Sequence, residues 1–495
     1  MKKFILALDQ GTTGSTALLI SHDLKIKARA NIEFKQHYPK PGWVEHDPEE
    51  IWAVTCKAMK QALQQAKVKA SQIAGIGITN QRETVVMWDK KNQKSLAKAI
   101  VWQDRRTADF CEALKKKGAL KTVRSKTGLV LDPYFSGTKI RWLLQNNKDV
   151  KKAKTANRLA CGTIDSFLVN RLTNGKVHVT DVTNASRTLL MNIKTMRWDK
   201  ELLKMFSVPA DILPEIRSCS EIYGHTKSVP GLPDGIPIAG MAGDQQAALF
   251  GQACFSPGEA KCTYGTGSFL LMNIGSKATL SKSGLLTTVA WQVGAEINYA
   301  LEGSAFIAGA AVQWLRDEMG FIKKSSEVEA LARSAADNGG VQFVPALAGL
   351  GAPYWDANAR GVLCGLTRGS NRAHVARAVL EGIALSQYDI LSAMQKDAAQ
   401  KLKRLKVDGG ASANDLLMQI QADCLETKIV RPKALETTAM GAAFLAGLAV
   451  GFWKSKKEIS RVFQADKEFK PKMAKGVRDD LIKNWKKAIE RARVH

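Results

Sequence analysis

Five segments carry residue types suited to phosphate, nucleotide or hydroxyl chemistry. Asp9-Gln10-Gly11-Thr12-Thr13-Gly14 sets an acid before a small-residue turn. Glycine lets backbone N–H groups approach a phosphate, threonine hydroxyls add donors, and an Asp at a strand end can hold Mg²⁺, usually through water. A two-residue hairpin with a polar tip fits the same residues equally well. Lys261-Cys262-Thr263-Tyr264-Gly265-Thr266-Gly267-Ser268 repeats the device past the middle of the chain. Asp408-Gly409-Gly410-Ala411-Ser412-Ala413-Asn414 offers bare glycine backbone that could lie flat against a planar base, or a plain strand-to-helix turn. Asn80-Gln81-Arg82-Glu83 ends an apolar run with opposite charges, either a binding pair or a structural ion pair. In Gly243-Asp244-Gln245-Gln246 the acid could take a proton from a substrate hydroxyl, or cap a helix over 245–250. GxxxxGK[ST] is absent, so a P-loop is excluded. His22, His37, His46, His178, His225, His374 and His495 all lie outside Gly-rich strand ends, which makes histidine a poor candidate for the base.

The elements that must position these residues can be read from apolar patterning. Short apolar runs predict strands at 4–8, 17–20 and 73–78, and helical periodicity predicts helices at 48–66 and 138–145. Strand-like and helical stretches alternate throughout, which predicts α/β layering. The strand, small-residue turn, strand pattern occurs once in each half. That echo predicts two related domains, 1–250 and 251–495, with a boundary near 245–257.

Composition sets limits. The chain has 495 residues, 45% apolar and 24% charged, as in ordinary globular proteins. No apolar run is long enough to span a bilayer, and the run at 4–8 is too short for a signal peptide. The eight cysteines form no CxxC pair or zinc spacing, so reduced thiols in a cytoplasmic protein are expected. The net charge of +27 is spread along the chain. Its densest stretch, 454–495, places Leu481, Ile482, Trp485, Ala488, Ile489 and Ala492 at helical spacing, which predicts an amphipathic helix with a solvated basic face.

Taken together, these segments resemble the FGGY family of carbohydrate kinases, over about residues 4–455. Tyr134-Phe135-Ser136-Gly137-Thr138-Lys139-Ile140-Arg141-Trp142-Leu143 is similar to one family signature. Gly361-Val362-Leu363-Cys364-Gly365-Leu366, with His374-Val375 and Ala378-Val379-Leu380-Glu381, is similar to the other. The resemblance implies two ribonuclease-H-like (actin-like ATPase) α/β domains with the active site in the cleft between them. It is strongest to members that phosphorylate glycerol, through residues 38–48, 77–84 and 243–251. It therefore implies transfer of the γ-phosphoryl group of ATP to glycerol, giving glycerol 3-phosphate, with another sugar kinase of the family, acting on a ketopentose, as the alternative. An actin-like nucleotide-driven scaffold would need the hairpins but no polyol pocket.

By the same resemblance, Arg82, Glu83, Trp102, Tyr134, Asp244, Gln245 and Phe269 would surround glycerol, with Asp244 as general base. Thr12, Thr13 and Gly14 would hold phosphates from one domain and Thr266 and Gly267 from the other. Gly309 and Gln313 would lie nearby, Gly410 and Asn414 at the adenosine, and Asp9 would face Mg²⁺. A homo-oligomer is expected, with no specific nucleic-acid partner. Two departures stand out. Thr16 occupies a position where several family members carry Arg. Asp234-Gly235 precede Ile236, and residues 227–234 contain no His, so no regulation by fructose 1,6-bisphosphate or histidine phosphorylation is expected.

Overall fold

The computed structural model describes residues 2–434, 436–463 and 465–493; His495 lies outside them. The predicted strands form within a six-stranded sheet: β1 (Phe4–Gln10), β2 (Gly14–Ser21), β3 (Ile26–Glu33), β4 (Ile73–Asn80), β5 (Ser220–His225) and β6 (Pro237–Gly243). Their order is β5-β6-β4-β1-β2-β3. A second sheet holds β7 (Glu259–Tyr264), β8 (Ser268–Gly275), β9 (Leu286–Val293), β10 (Glu296–Ala305), β11 (Arg404–Asp408), β12 (Ile429–Pro432) and β13 (Ala465–Phe469), ordered β9-β10-β8-β7-β11-β12-β13.

The two sheets share one topology. In the first, β1 runs parallel to β4 and antiparallel to β2, β2 is antiparallel to β3, and β4 is parallel to β6. In the second, β7 runs parallel to β11 and antiparallel to β8, β8 is antiparallel to β10, and β11 is parallel to β12. Each ends on one antiparallel edge strand, β5 or β13, and the second adds β9 at its far side. The two-domain α/β expectation is met at the level of strand pairing. Residues after β4, together with Glu45–His46 before it, add a four-stranded sheet and helices with an apolar core that includes Val85, Leu129, Phe135, Leu190 and Phe206.

Helices complete the layers: α1 (Pro48–Ala66), α2 (Asp244–Gly251), α3 (Gly309–Asp317), α4 (Arg372–Ala398), α5 (Asp415–Leu425), α6 (Thr437–Ala449) and α7 (Lys475–Ala492). α1 starts where the sequence predicts. Pro48 occupies the first turn, where its missing N–H costs nothing, and Asp47 accepts from the Glu49 N–H at 2.9 Å. α7 buries the six apolar residues expected of it.

The expected division at 250/251 marks where the chain passes from one sheet to the other. It falls inside α2, and α6, from the second half, packs on the first sheet. Two glycines make that approach possible. A Cβ on Gly77 of β4 would stand 2.1 Å from the Ala442 carbonyl oxygen, and one on Gly441 of α6 would stand 1.8 Å from that of Ala247. Ile5, Ala7, Leu18 and Ile20 of the first sheet, Leu271 and Trp291 of the second, and Phe250 and Phe444 of the two helices form one core.

Candidate active site

The first hairpin closes by a Gly11 N–H bond to the Gly14 carbonyl at 2.9 Å. A polar network backs it. Gln81 donates to Gln10 (3.0 Å) and to the Gly11 carbonyl (3.0 Å), Gln36 donates to the Thr12 carbonyl (2.9 Å), and the fully buried His46 lies between the two glutamines. Burial pushes the His46 imidazole down to about 4, so it stands neutral. Thr13 is exposed at the tip, and Thr12 beside it is half-buried. Thr16 hydrogen-bonds Asn31 across the β2–β3 ladder at 2.8 Å.

The second hairpin closes between Gly265 and Gly267 at 2.8 Å and seats on α3. The Ala308 and Ala310 N–H groups donate to the Thr266 carbonyl, and the Gly309 N–H to that of Gly265. The side chains of Thr266 and Gln313 are exposed. At the third turn, a Cβ on Gly410 would meet nothing within 4 Å, so a flat surface is open there. The Asn414 side chain caps α5 by accepting from the Leu417 N–H at 2.9 Å, a role the sequence reading does not include.

Arg82, at the end of β4, is 2% exposed and organises the centre of the site. Its Nε lies 3.1 Å from Asp244 Oδ1. Nη1 donates to Glu302 (2.6 Å) and Gln246 (3.2 Å), and Nη2 to Glu302 (3.0 Å) and the Tyr134 hydroxyl (3.3 Å). Glu83 does not form the close pair with Arg82 that adjacency suggests, since they stand 3.8 Å apart; it accepts instead from Arg187 Nε at 2.6 Å. Burial pushes the Glu83 carboxyl up, while Arg82 and Arg187 work the other way. Its φ of 63° and the Thr84 N–H bond to the Arg82 carbonyl make a γ-turn, a strained conformation that aims neighbouring side chains in opposite directions.

Asp244 is the first residue of α2. Gly243 holds the cap position, so the N-cap alternative for Asp244 is overturned. Its side chain remains one-third exposed. The Gly243 N–H donates to Thr183 (2.9 Å), itself held by Asp181, and Asn184 exchanges two hydrogen bonds with Asn80. This layer fixes the ends of β4 and β6 together. Trp102 donates to the Thr12 hydroxyl at 2.9 Å and stands edge-on to Tyr134, which ties the aromatic wall to the first hairpin. Gln245 accepts from the buried Lys261 of β7, and Phe269 lies half-buried at the start of β8.

Asp9 sits at the end of β1. Burial, with repulsion from Asp244 and Glu436, pushes its carboxyl up to about 7, an environment that a cation would relieve. Among the described residues no three His, Cys, Asp or Glu side chains converge as a ligand cage. A cation at Asp9 would keep most of its water, as Mg²⁺ does.

Sequence reasoning missed Glu302, Arg187, Gln246 and Lys261. The available signal was a lone charge inside an apolar strand, as in Ala300-Leu301-Glu302-Gly303. The basic residues Lys401, Arg478, Lys483, Lys486 and Lys487 line a separate groove of about 830 Å³ beside α7, which none of the site residues enters.

Residues 4–251 match the model of the N-terminal domain of the FGGY family of carbohydrate kinases, and residues 260–450 that of its C-terminal domain. The chain belongs to the FGGY family. Among FGGY kinases it is 58% identical over 493 residues to a glycerol kinase of Bdellovibrio bacteriovorus, and 56% identical to one of Caldanaerobacter subterraneus subsp. tengcongensis, covering 99% of each chain. Its fold is similar to the crystal structure of Plasmodium falciparum glycerol kinase with ADP, at a TM-score of 0.94 and 40% identity over 99% of this chain and 98% of that one. A ligand-bound xylulose kinase from Lactobacillus acidophilus, a sugar kinase on the same frame, gives 0.88 and 26%, over 99% and 97%.

Proposed function

We propose that this FGGY kinase transfers the γ-phosphoryl group of ATP to glycerol, releasing ADP and sn-glycerol 3-phosphate. The observation that carries the reading is the cluster at the end of β4 and the start of α2. There Arg82 is fixed against Asp244 and Tyr134, and Trp102 walls the approach to the first hairpin. Glycerol offers three hydroxyls and one apolar carbon edge. The Asp244 carboxylate and the Tyr134 hydroxyl, both held by Arg82, suit the hydroxyls, while Trp102 and Phe269 suit the carbon edge. Identity to glycerol kinases over nearly the whole chain supports glycerol over a ketopentose.

In this reading the two sheets are ribonuclease-H-like domains, as in actin-like ATPases, and the reaction occurs in the cleft between them. Asp244 accepts the proton of the attacking hydroxyl and directs that oxygen in line with the γ-phosphate. Thr12, Thr13 and Gly14 hold phosphates from one side; Thr266 and Gly267, with Gly309 and Gln313 beside them, hold them from the other. Gly410 and Asn414 receive the adenosine, Asn414 through the backbone at its capped helix start. Mg²⁺, held at Asp9 through water, would offset phosphate charge. Closure of the cleft excludes water, which competes as acceptor. The protein works as a homo-oligomer in the cytoplasm; no described helix is long and apolar enough to cross a membrane. A coupled ADP-release assay over glycerol, xylulose and ribulose tests the assignment. Turnover highest with glycerol is expected, and no turnover with glycerol overturns it.

A further inference from the structure

Every polar hydrogen on the two terminal nitrogens of Arg82 is engaged, and the dominant partner comes from the other half of the molecule. Glu302 lies on β10, 220 residues away. It takes one N–H from each terminal nitrogen of Arg82, at 2.6 and 3.0 Å, and a third from Arg187 at 3.0 Å. A bidentate carboxylate of this kind fixes the plane of a guanidinium as well as its position. Arg82 and Glu302 are both closed to solvent, at 2% and 3% exposure. The partners of Arg82 that remain partly open are Asp244 and Tyr134, the two placed to meet substrate. The orientation imposed by Glu302 is thus passed to the groups that face the cleft.

The same face of the second sheet makes a parallel contact. Lys261 stands opposite Leu271 on β8, and Leu271 opposite Glu302 on β10, so the three side chains form one row across the sheet. Lys261 donates to Gln245 in the first turn of α2. Residues of the second half therefore grip the polyol-facing residues of the first at two points. Although burial opposes ionisation, Arg187 and Arg82 hold the Glu302 carboxyl down to about 2, so the clasp stays charged at any working pH.

We propose that Glu302 is a positioning and specificity-determining residue for the polyol. By holding Arg82 across the domain junction it sets the pocket geometry from the nucleotide-binding half, without touching substrate itself. The inference rests on the reading of the pocket as a polyol site. Glu302→Gln keeps the shape and removes the charge. Its KM for glycerol is expected to rise at least fivefold, with the KM for ATP within twofold of wild type and kcat falling by less than the KM rises. Glu302→Asp, which restores the charge, falls between the two. A glycerol KM less than fivefold raised, or an ATP KM raised as much as that for glycerol, overturns the inference. If Glu302→Gln does not fold, Glu302→Asp is judged by a twofold rise in glycerol KM with ATP KM unmoved. Wild type in the same assay keeps the two readings apart. Failure of wild type on glycerol overturns the glycerol assignment alone, and the variants are then compared on whichever polyol or ketose of the panel wild type phosphorylates.

Discussion

The two sheets share strand order and direction, yet their buried polar residues do opposite work. In the first half they lie behind and beside strand ends. Gln10, Gln81, His46 and Gln36 brace a hairpin, and Asp181, Thr183, Asn184 and Asn80 fix the turn that bears Asp244. In the second half they project from the sheet face. Glu302 and Lys261 reach Arg82 and Gln245, and Lys406 donates to the Gln252 and Ala253 carbonyls at the end of α2, where a cation complements the helix dipole. Asp408 adds a bond from the Gln252 side chain at 3.0 Å. One copy of the scaffold braces the strand ends that carry Asp9, Arg82 and Asp244, and the other grips the helix that Asp244 begins. Duplication of a fold leaves each copy free to specialise its buried charges.

Substitutions can break this contrast or sharpen it. The largest effect is expected at the reactive edge. Asp244→Asn should lower kcat about 10³-fold, while binding of a non-hydrolysable ATP analogue, followed by calorimetry, stays near wild type. Unaltered turnover would remove Asp244 as the base. Next comes the joint between the halves. Gly441→Ala places a methyl group within 1.8 Å of a backbone oxygen on α2, and should cost about 3 kcal/mol, read as a lower Tm. An unchanged Tm would mean that α6 can shift freely over the first sheet.

A subtler effect concerns the brace behind the first hairpin. The folded pKa of His46, about 4, lies below the ordinary histidine value near 6.5. The unfolded chain therefore binds more protons between those values, and wild type loses stability as pH falls through that window. Relative to His46→Gln it should lose about 2 kcal/mol between pH 7 and pH 5. Parallel denaturation curves for the two proteins at both pH values would contradict a buried neutral imidazole. The smallest change is expected at Thr16→Arg, which trades the Asn31 bond for a cation beside the first hairpin. A severalfold lower KM for ATP is expected, and a higher one would place the nucleotide phosphates elsewhere.

Much of the frame is legible in the chain. The strands at 4–8, 17–20 and 73–78 extend two residues further, or begin earlier, because polar ends such as Asp9, Gln10 and Asn80 continue the ladder without adding to the apolar signal. α1 is marked by Asp47 and Pro48, and α7 by its spacing. The hairpins are visible as small-residue turns, and the candidate site residues around them come from the family resemblance. What stays hidden is pairing at long range. Arg82 and Glu83 look like partners because they are adjacent, but the turn at Glu83 separates them, and each finds its close charge elsewhere, at Glu302 and Arg187. Nothing in local sequence connects residues 82 and 302. The N-cap alternative for Asp244 fails for a related reason, since capping depends on where the helix begins, and a glycine had already taken that place.

The placement of α6 also bears on how the chain is made. The face of the first sheet that it covers includes Ile5, Ala7, Leu18, Ile20 and Ala239, beside the close approach at Gly77 and Gly240, and its covering helix ends only at Ala449. About 200 residues separate the end of α2 from that point, or roughly 10–40 s of synthesis at ordinary ribosomal speeds. Through that interval the first sheet has emerged without its cover, so the nascent chain must be kept from aggregation until its last quarter arrives.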